Sequence, residues 1–212
     1  MSTTTTRSPR RDAVDNRAAL LDAARVVFAT DPDASLDAVA AAAGLSRRSV
    51  YGHFANRDEL QRELVTIGSA RVATALESVA HPDPVVRLAL IGSGLWREVA
   101  DLRVMALFAV RGAHKQYTIG ALAPLRAQVL AAVREAASAG TIRSDIPVER
   151  LARLVEDAAL AVLEESTRSV LSAADGHRLV MVNTLGTLGF GWREAADFID
   201  SRPELVRREA TS

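Results

Sequence analysis

Cysteine is absent from the 212 residues, which excludes disulfides, thiolate metal sites and cysteine nucleophiles. Net charge is absent as well, because 26 basic residues balance 26 acidic ones. A neutral chain argues against indiscriminate binding to nucleic acid but leaves room for a local basic patch. No apolar run is long enough to span a membrane: the most apolar stretch, residues 179–192, is short and interrupted by Asn183, Thr184 and Thr187. The amino end lacks the apolar segment of a signal peptide. Residues 1–11 are polar and basic with a threonine run, and they read as a short disordered arm. A cytoplasmic protein with no membrane partner is the expectation. The histidines at 53, 81, 114 and 177 have no partner at metal-ligand spacing, and no Glu-x-x-His pair of a di-iron bundle occurs. Phosphate loop and nucleophile elbow are also missing. No enzyme is expected, and with it no catalytic residue, metal or cofactor.

Helical periodicity is what the chain does have, and no segment alternates convincingly as a strand would. Hydrophobic residues make up 49% and charged residues 25%, ordinary for a globular chain long enough to bury a sizeable core. Leu20, Leu21, Ala24, Val27 and Phe28 fall on one stripe and predict a first helix over 15–28. Pro32 ends it. Ser35 is placed to cap a short helix over 36–43, Gly44 to stop it, and Ser46 to cap the next, which runs to about Phe54. Asn56 and Glu59 resemble a capping box opening a long helix over 57–79. The break at residues 81–84 leads to further helices expected over 85–100, 102–113, 117–139, 147–171 and 175–192. The domain organisation expected is an arm (1–11), a reading domain (12–60), a connecting helix (61–80), a helical body (81–200) and a loose tail (201–212).

Residues 36–54 meet the requirements of a helix-turn-helix. Small Ala40 and Ala43 let two helices cross closely, Gly44 turns the chain, Leu45 fills the corner, and Val50 and Phe54 anchor the second helix. At about 100° per residue, Gly52 lies almost opposite the buried face, flanked by Arg48 and Ser49. An outward glycine weakens a helix by about 1 kcal/mol relative to alanine, and the gain is close approach of its backbone to a groove wall. Arg47 and Arg48 stand at the helix amino end, where an arginine can bond guanine O6 and N7 in bidentate fashion. Ser49, Tyr51 and His53 suit phosphate oxygens, and Tyr51 also suits a thymine methyl. Arg57 opens the following helix beside them. From Gly44 to Arg57 there are three arginines and no carboxylate, a basic patch in a neutral chain.

Ser35-Leu36, Val39-Ala40, Ala43-Gly44-Leu45-Ser46, Ser49-Val50-Tyr51, His53-Phe54, Asn56-Arg57 and Leu60 together resemble the TetR family of bacterial transcription regulators. The resemblance covers about a quarter of the chain directly, and Gly140-Thr141-Ile142-Arg143-Ser144-Asp145 resembles the family's connection before its penultimate helix. It implies an all-α fold with an amino-terminal three-helix DNA-binding domain and a carboxy-terminal ligand-binding and dimerisation domain. Carried over, Ser35, Ser49, Tyr51, His53 and Arg57 would contact the DNA backbone, while Arg47, Arg48 and Tyr51 would read bases. Ser49 departs from the family's usual threonine and Arg57 from its usual lysine. Both substitutes keep the hydrogen bond or the charge.

The resemblance also implies an effector pocket among the middle helices, for which Trp96, Met105, Phe108, Arg111, His114 and Tyr117 are the candidates. Glu164 and Glu165 are read as a wet face. Leu151, Leu154, Val155, Ala158 and Val162 form one stripe, and the final helix is apolar nearly all round, with Val182, Gly186 and Gly189 on it. A helix apolar all round must be covered on both sides. One cover is its own body and the other a symmetry mate in a four-helix dimer interface, the alternative being complete burial within one chain. The expected partners are an operator in double-stranded DNA, a second copy of the chain and a small-molecule effector, with repression implied by the resemblance alone. The competing expectation is a dimeric ligand-binding or protein-interaction module without operator recognition.

Overall fold

The computed structural model describes residues 9–100, 103–111 and 115–206, and among them every regular element is an α-helix. In chain order these are α1 (Pro9–Thr30), α2 (Leu36–Ala42), α3 (Arg47–His53), α4 (Arg57–Glu77), α5 (Pro84–Glu98), α6 (Arg103–Arg111), α7 (Lys115–Ala121), α8 (Ala123–Ser138), α9 (Val148–Arg168), α10 (Ala173–Leu188) and α11 (Trp192–Asp200). The chain divides into two compact units, 1–67 and 68–212, with the division falling inside α4.

The first unit is a three-helix cluster built on local signals. Leu20, Ala24 and Phe28 of α1 are fully buried at the spacing of one helix face. Helix α1 begins at Pro9, so its first turn takes in the end of the expected arm; residues 1–8 lie outside the described residues. Ser35 caps α2 by accepting from the Ala38 amide at 3.2 Å, and Ser46 caps α3 by accepting from Ser49 at 3.2 Å. Between them Gly44 sits at φ +68°. The Leu45 amide donates to the Ala40 carbonyl at 2.9 Å, and Gly44 donates to Ala41 at 3.1 Å. That double closure satisfies the last carbonyls of α2 and needs a left-handed residue at its centre. Asn56 accepts from the Glu59 amide at 2.9 Å, while the Glu59 carboxylate accepts from Ala55 at 2.7 Å, one residue earlier than a standard capping box.

The second unit is a helical body whose core runs through α5, α8, α9 and α10. Leu88, Ala89, Val133, Leu151, Val155, Met181 and Leu185 are among its buried residues. Asp83 caps α5 through the Val85 and Val86 amides, with Pro84 at the first helical position. Two glycines of the body stand at close approaches, and at the second a side chain has no room. At Gly92 a Cβ would lie 3.3 Å from the Thr184 hydroxyl, and at Gly176 it would lie 1.8 Å from the Trp96 ring.

Three features differ from the sequence expectation. The helix expected over 117–139 is broken at Leu122 into α7 and α8, because Pro124 has no amide hydrogen to continue the ladder. The helix expected to run to 192 stops at Gly189, which takes φ +109°, and α11 follows, opened by Glu194 accepting from the Gly191 amide at 3.2 Å. Helix α11 buries Ala195 and Ile199, and beyond it Leu205 is 1% exposed in the body's core. The segment after Ser201 is thereby anchored as far as Leu205, where a loose tail was expected. Two adjacent apolar residues, Leu205 and Val206, carry no periodicity to announce it.

Candidate nucleic-acid interface

Helix α3 is held by two side chains of zero exposure, Val50 and Phe54. Its other side is open: Arg47, Arg48, Tyr51 and Gly52 are exposed, and Ser49 and His53 are half-buried. A Cβ built on Gly52 meets nothing within 4 Å, so no contact among the described residues explains the glycine. Ser35 is exposed at the start of α2, and half-buried Arg57 donates to the carbonyl of Asp33, two positions before it, at 2.9 Å. The structure thus brings Ser35, Arg57 and the outward face of α3 together in one unit.

Arg17 of α1 fixes the carboxyl end of α3. Its guanidinium donates to the His53 carbonyl at 3.2 Å, stacks 4.6 Å from the centre of the Phe54 ring and is paired with Glu63 of α4. A cation at a helix carboxyl end also complements the helix dipole. Neither Arg17 nor Glu63 was visible as a site residue in the sequence, since their proximity depends on the tertiary crossing of α1 and α4.

The charge pattern differs from the expected patch. Arg47 is paired with Asp37 of α2 at 2.7 Å, and Arg57 with Asp33 at 3.2 Å. The carboxylates missing from residues 44–57 are supplied by the preceding segment. Among the described residues Arg48 has no ion pair, and it alone of the three arginines carries an uncompensated charge. Exposed pairs of this type are worth about 0–1 kcal/mol, so a phosphate or a base edge can compete for either arginine.

The other expected sites are placed differently. Trp96 is 4% exposed; its indole nitrogen donates to the Ala173 carbonyl at 3.2 Å, and Arg103 stacks 4.1 Å from its ring centre. Tyr117 is half-buried on α7. His114 and the side chains of Met105, Phe108 and Arg111 lie outside the described residues. A cavity of about 260 Å³ in the second unit is lined by Ala73, Glu77, Pro124, Leu125 and Gln128, none of them among the six candidates. Glu164 is half-buried beside Arg168 at 2.5 Å, and Glu165 is exposed.

Of the expected interface stripe, Leu151, Val155, Ala158 and Val162 are buried within their own body, while Leu154 is 39% exposed. A side chain already out of water in one chain gains nothing from a partner. Gly189 is a helix stop, where a Cβ would lie 3.1 Å from that of Arg143. Val182 is half-buried and Gly186 is exposed, with open space above it.

Comparison with known proteins agrees with this geometry. Residues 20–64 match the family described as bacterial regulatory proteins, tetR family. No curated protein matches the chain. The fatty acid degradation regulator FadR of Bacillus halodurans shares the fold at a TM-score of 0.69 and 16% identity, over 87% of this chain and 97% of that one. FadR of Bacillus subtilis, solved with stearoyl-CoA, gives 0.69 at 15% identity, over 81% and 97%. SmeT of Stenotrophomonas maltophilia, repressor of the multidrug efflux pump SmeDEF, gives 0.63 at 23% identity, over 81% and 88%. Residues 36–54, a capped helix-turn-helix with an open outer face, thus lie inside the segment that matches the tetR family of bacterial regulatory proteins, and the chain, all-α among its described residues, shares the fold of solved regulators.

Proposed function

We propose that this chain is a transcription regulator that binds an operator sequence as a homodimer and is released from it by a small molecule, acting as a repressor in the cytoplasm. The observation that carries the reading is the outer face of α3, where, among the described residues, a glycine with nothing within 4 Å of its Cβ position sits between an arginine without an ion pair and hydrogen-bonding side chains. An interaction module that had lost DNA recognition would have no use for that combination. Arg47 and Arg48 read bases, while Ser35, Ser49, His53 and Arg57 position the protein on phosphates, and Tyr51 serves either role. Gly52 lets the helix backbone approach the groove wall.

The Gly52 assignment makes two effects of opposite sign. Gly52→Ala should raise the melting temperature, since alanine in a helix is better than glycine by about 0.5–1 kcal/mol and the Cβ meets no clash. Operator affinity should fall in the same variant, because the methyl holds the backbone off the groove. Thermal unfolding and a gel-shift titration on one preparation decide it; unchanged operator affinity removes the glycine from the interface.

Dimerisation uses the outer sides of α9 and α10. Leu154 with Ala161 on α9, and Leu179 with Gly186 on α10, are each seven residues apart and so share one side of their helix. Leu154 and Leu179 are 39% and 38% exposed in the single chain. A twofold axis through this face would present α3 to two half-sites in opposite orientations. Selection from random-sequence DNA should therefore return an imperfect palindrome. Gly186→Leu, whose Cβ meets no described atom within 4 Å, should give a folded monomer that retains only one half of it. A parent protein that enriches no sequence would defeat the reading.

The effector reading rests on a body far larger than a reading domain needs and on relatives of the same fold, one of them solved with stearoyl-CoA. The cavity seen here is smaller than the ~300–1,000 Å³ of typical small-molecule sites, so an effector would have to enlarge it or use the middle helices. It acts only through its different affinity for the DNA-competent and DNA-incompetent states.

A further inference from the structure

The pairing of Arg47 with Asp37 joins the reading helix to the helix before it, and the two residues differ in their surroundings. Arg47 is 75% exposed in its side chain, and Asp37 is 35% exposed. One carboxylate oxygen of Asp37, Oδ2, lies 2.7 Å from Arg47 Nη2 in an ion pair; the other, Oδ1, is buried with no hydrogen-bond partner among the described residues. The aspartate is therefore seated against the protein and the arginine hangs from it. From Asp37, in the first turn of α2, to Arg47, in the first turn of α3, the ion pair crosses the helix-turn-helix. A carboxylate here is unfavourable for binding DNA as such, because α2 borders the phosphates in this motif. Its presence needs a return.

We propose that Asp37 is a specificity-determining positioning residue that holds the Arg47 guanidinium in one orientation for a base edge. The inference rests on the operator-binding function proposed above. An unrestrained arginine reaches many conformations and satisfies itself on whichever phosphate lies nearest. With Nη2 held by Asp37, the planar fork keeps its other edge free and pre-oriented, which suits bidentate contact with guanine O6 and N7. The negative charge of Asp37 simultaneously opposes placement of the whole assembly on arbitrary phosphates. Both effects act in one direction: affinity for random DNA is lower and discrimination is higher.

The experiment is binding-site selection with the full chain, together with dissociation constants for the selected operator and for a scrambled duplex at one fixed salt concentration. Asp37→Asn, Asp37→Glu, Arg47→Ala and the Asp37→Asn/Arg47→Ala double variant are compared with the parent, and circular dichroism confirms that each is folded. Asp37→Asn should bind scrambled DNA more tightly, flatten the selected sequence at one base pair and lower the ratio of operator to scrambled affinity by about two- to fivefold, the worth of an exposed ion pair. Arg47→Ala should flatten the same base pair, the double variant should equal Arg47→Ala, and Asp37→Glu should restore part of the preference. The inference is overturned if Asp37→Asn leaves the selected sequence unchanged, or if its effect persists undiminished without Arg47. A selected sequence that survives Arg47→Ala intact also overturns it while leaving operator binding standing, whereas a parent that selects nothing defeats the underlying function.

Discussion

Phe54→Ala should abolish operator binding and melt the first unit while leaving the second folded. Phe54 has zero exposure at the carboxyl cap of α3, and with Val50 it makes up the helix's buried anchor. Truncating a buried phenylalanine to alanine costs about 3–5 kcal/mol, the transfer of the ring plus the cavity left behind. A cluster of this size has little stability in reserve. The loss extends past the cavity, because Arg17 stacks on this ring while it donates to the His53 carbonyl and pairs with Glu63. Without the ring the guanidinium loses its support, and the end of α3 loses its link to α1 and α4. Hydrogen exchange would read the difference by segment: amides of α1 to α3 should lose protection in the variant while those of α5 and α8 to α10 keep it. A variant that exchanges like the parent, or that still shifts the operator in a gel, would mean that α3 is held by something other than this anchor.

The parts of the site that were legible in the sequence are those fixed by near neighbours. Ser35, Gly44, Ser46 and Asn56 each act on residues a few positions away, and the hydrogen bonds they make follow from residue type and spacing. The two-sided character of α3 was legible for the same reason, Val50 and Phe54 being one turn apart. The charge state of its outer face was not, since Asp37 and Asp33 reach Arg47 and Arg57 only after the turn has formed. A similar limit governs the body. The stripe through Leu151, Val155 and Val162 announced burial, but an apolar stripe does not say whether its own chain or a partner covers it, and here its own chain does. Pro124 and the Gly189–Gly191 pair were visible breakers. Both stand inside long apolar runs whose helical spacing continues on either side, and so the division of α7 from α8 and the existence of α11 come from the structure.

The largest effect expected in the body comes from one added methyl group. At Gly176 of α10 a Cβ would lie 1.8, 2.3 and 2.4 Å from three atoms of the Trp96 ring on α5, distances at which one of the two must move. Trp96 has little freedom to do so. It is 4% exposed in the main core, its indole nitrogen donates to the Ala173 carbonyl, and Arg103 stacks on the ring. Moving the ring loses that hydrogen bond, and moving α10 opens the contact with α5 at Gly92, where the Thr184 hydroxyl already sits close. Gly176→Ala should therefore destabilise the second unit by about 1–3 kcal/mol or more, the usual cost of overpacking. That cost opposes the small gain alanine brings to a helix. The change also displaces Trp96, which the sequence analysis expects in the effector site, so ligand response should weaken along with stability. Chemical denaturation gives the free energy, and tryptophan fluorescence reports the ring displacement. Combining the change with Trp96→Phe tests the cause, since a smaller ring leaves room for the methyl group and the double variant should be more stable than the two single effects summed. Additive losses, or a Gly176→Ala protein as stable as the parent, would show that the helices separate without cost and that Trp96 does not fix their distance.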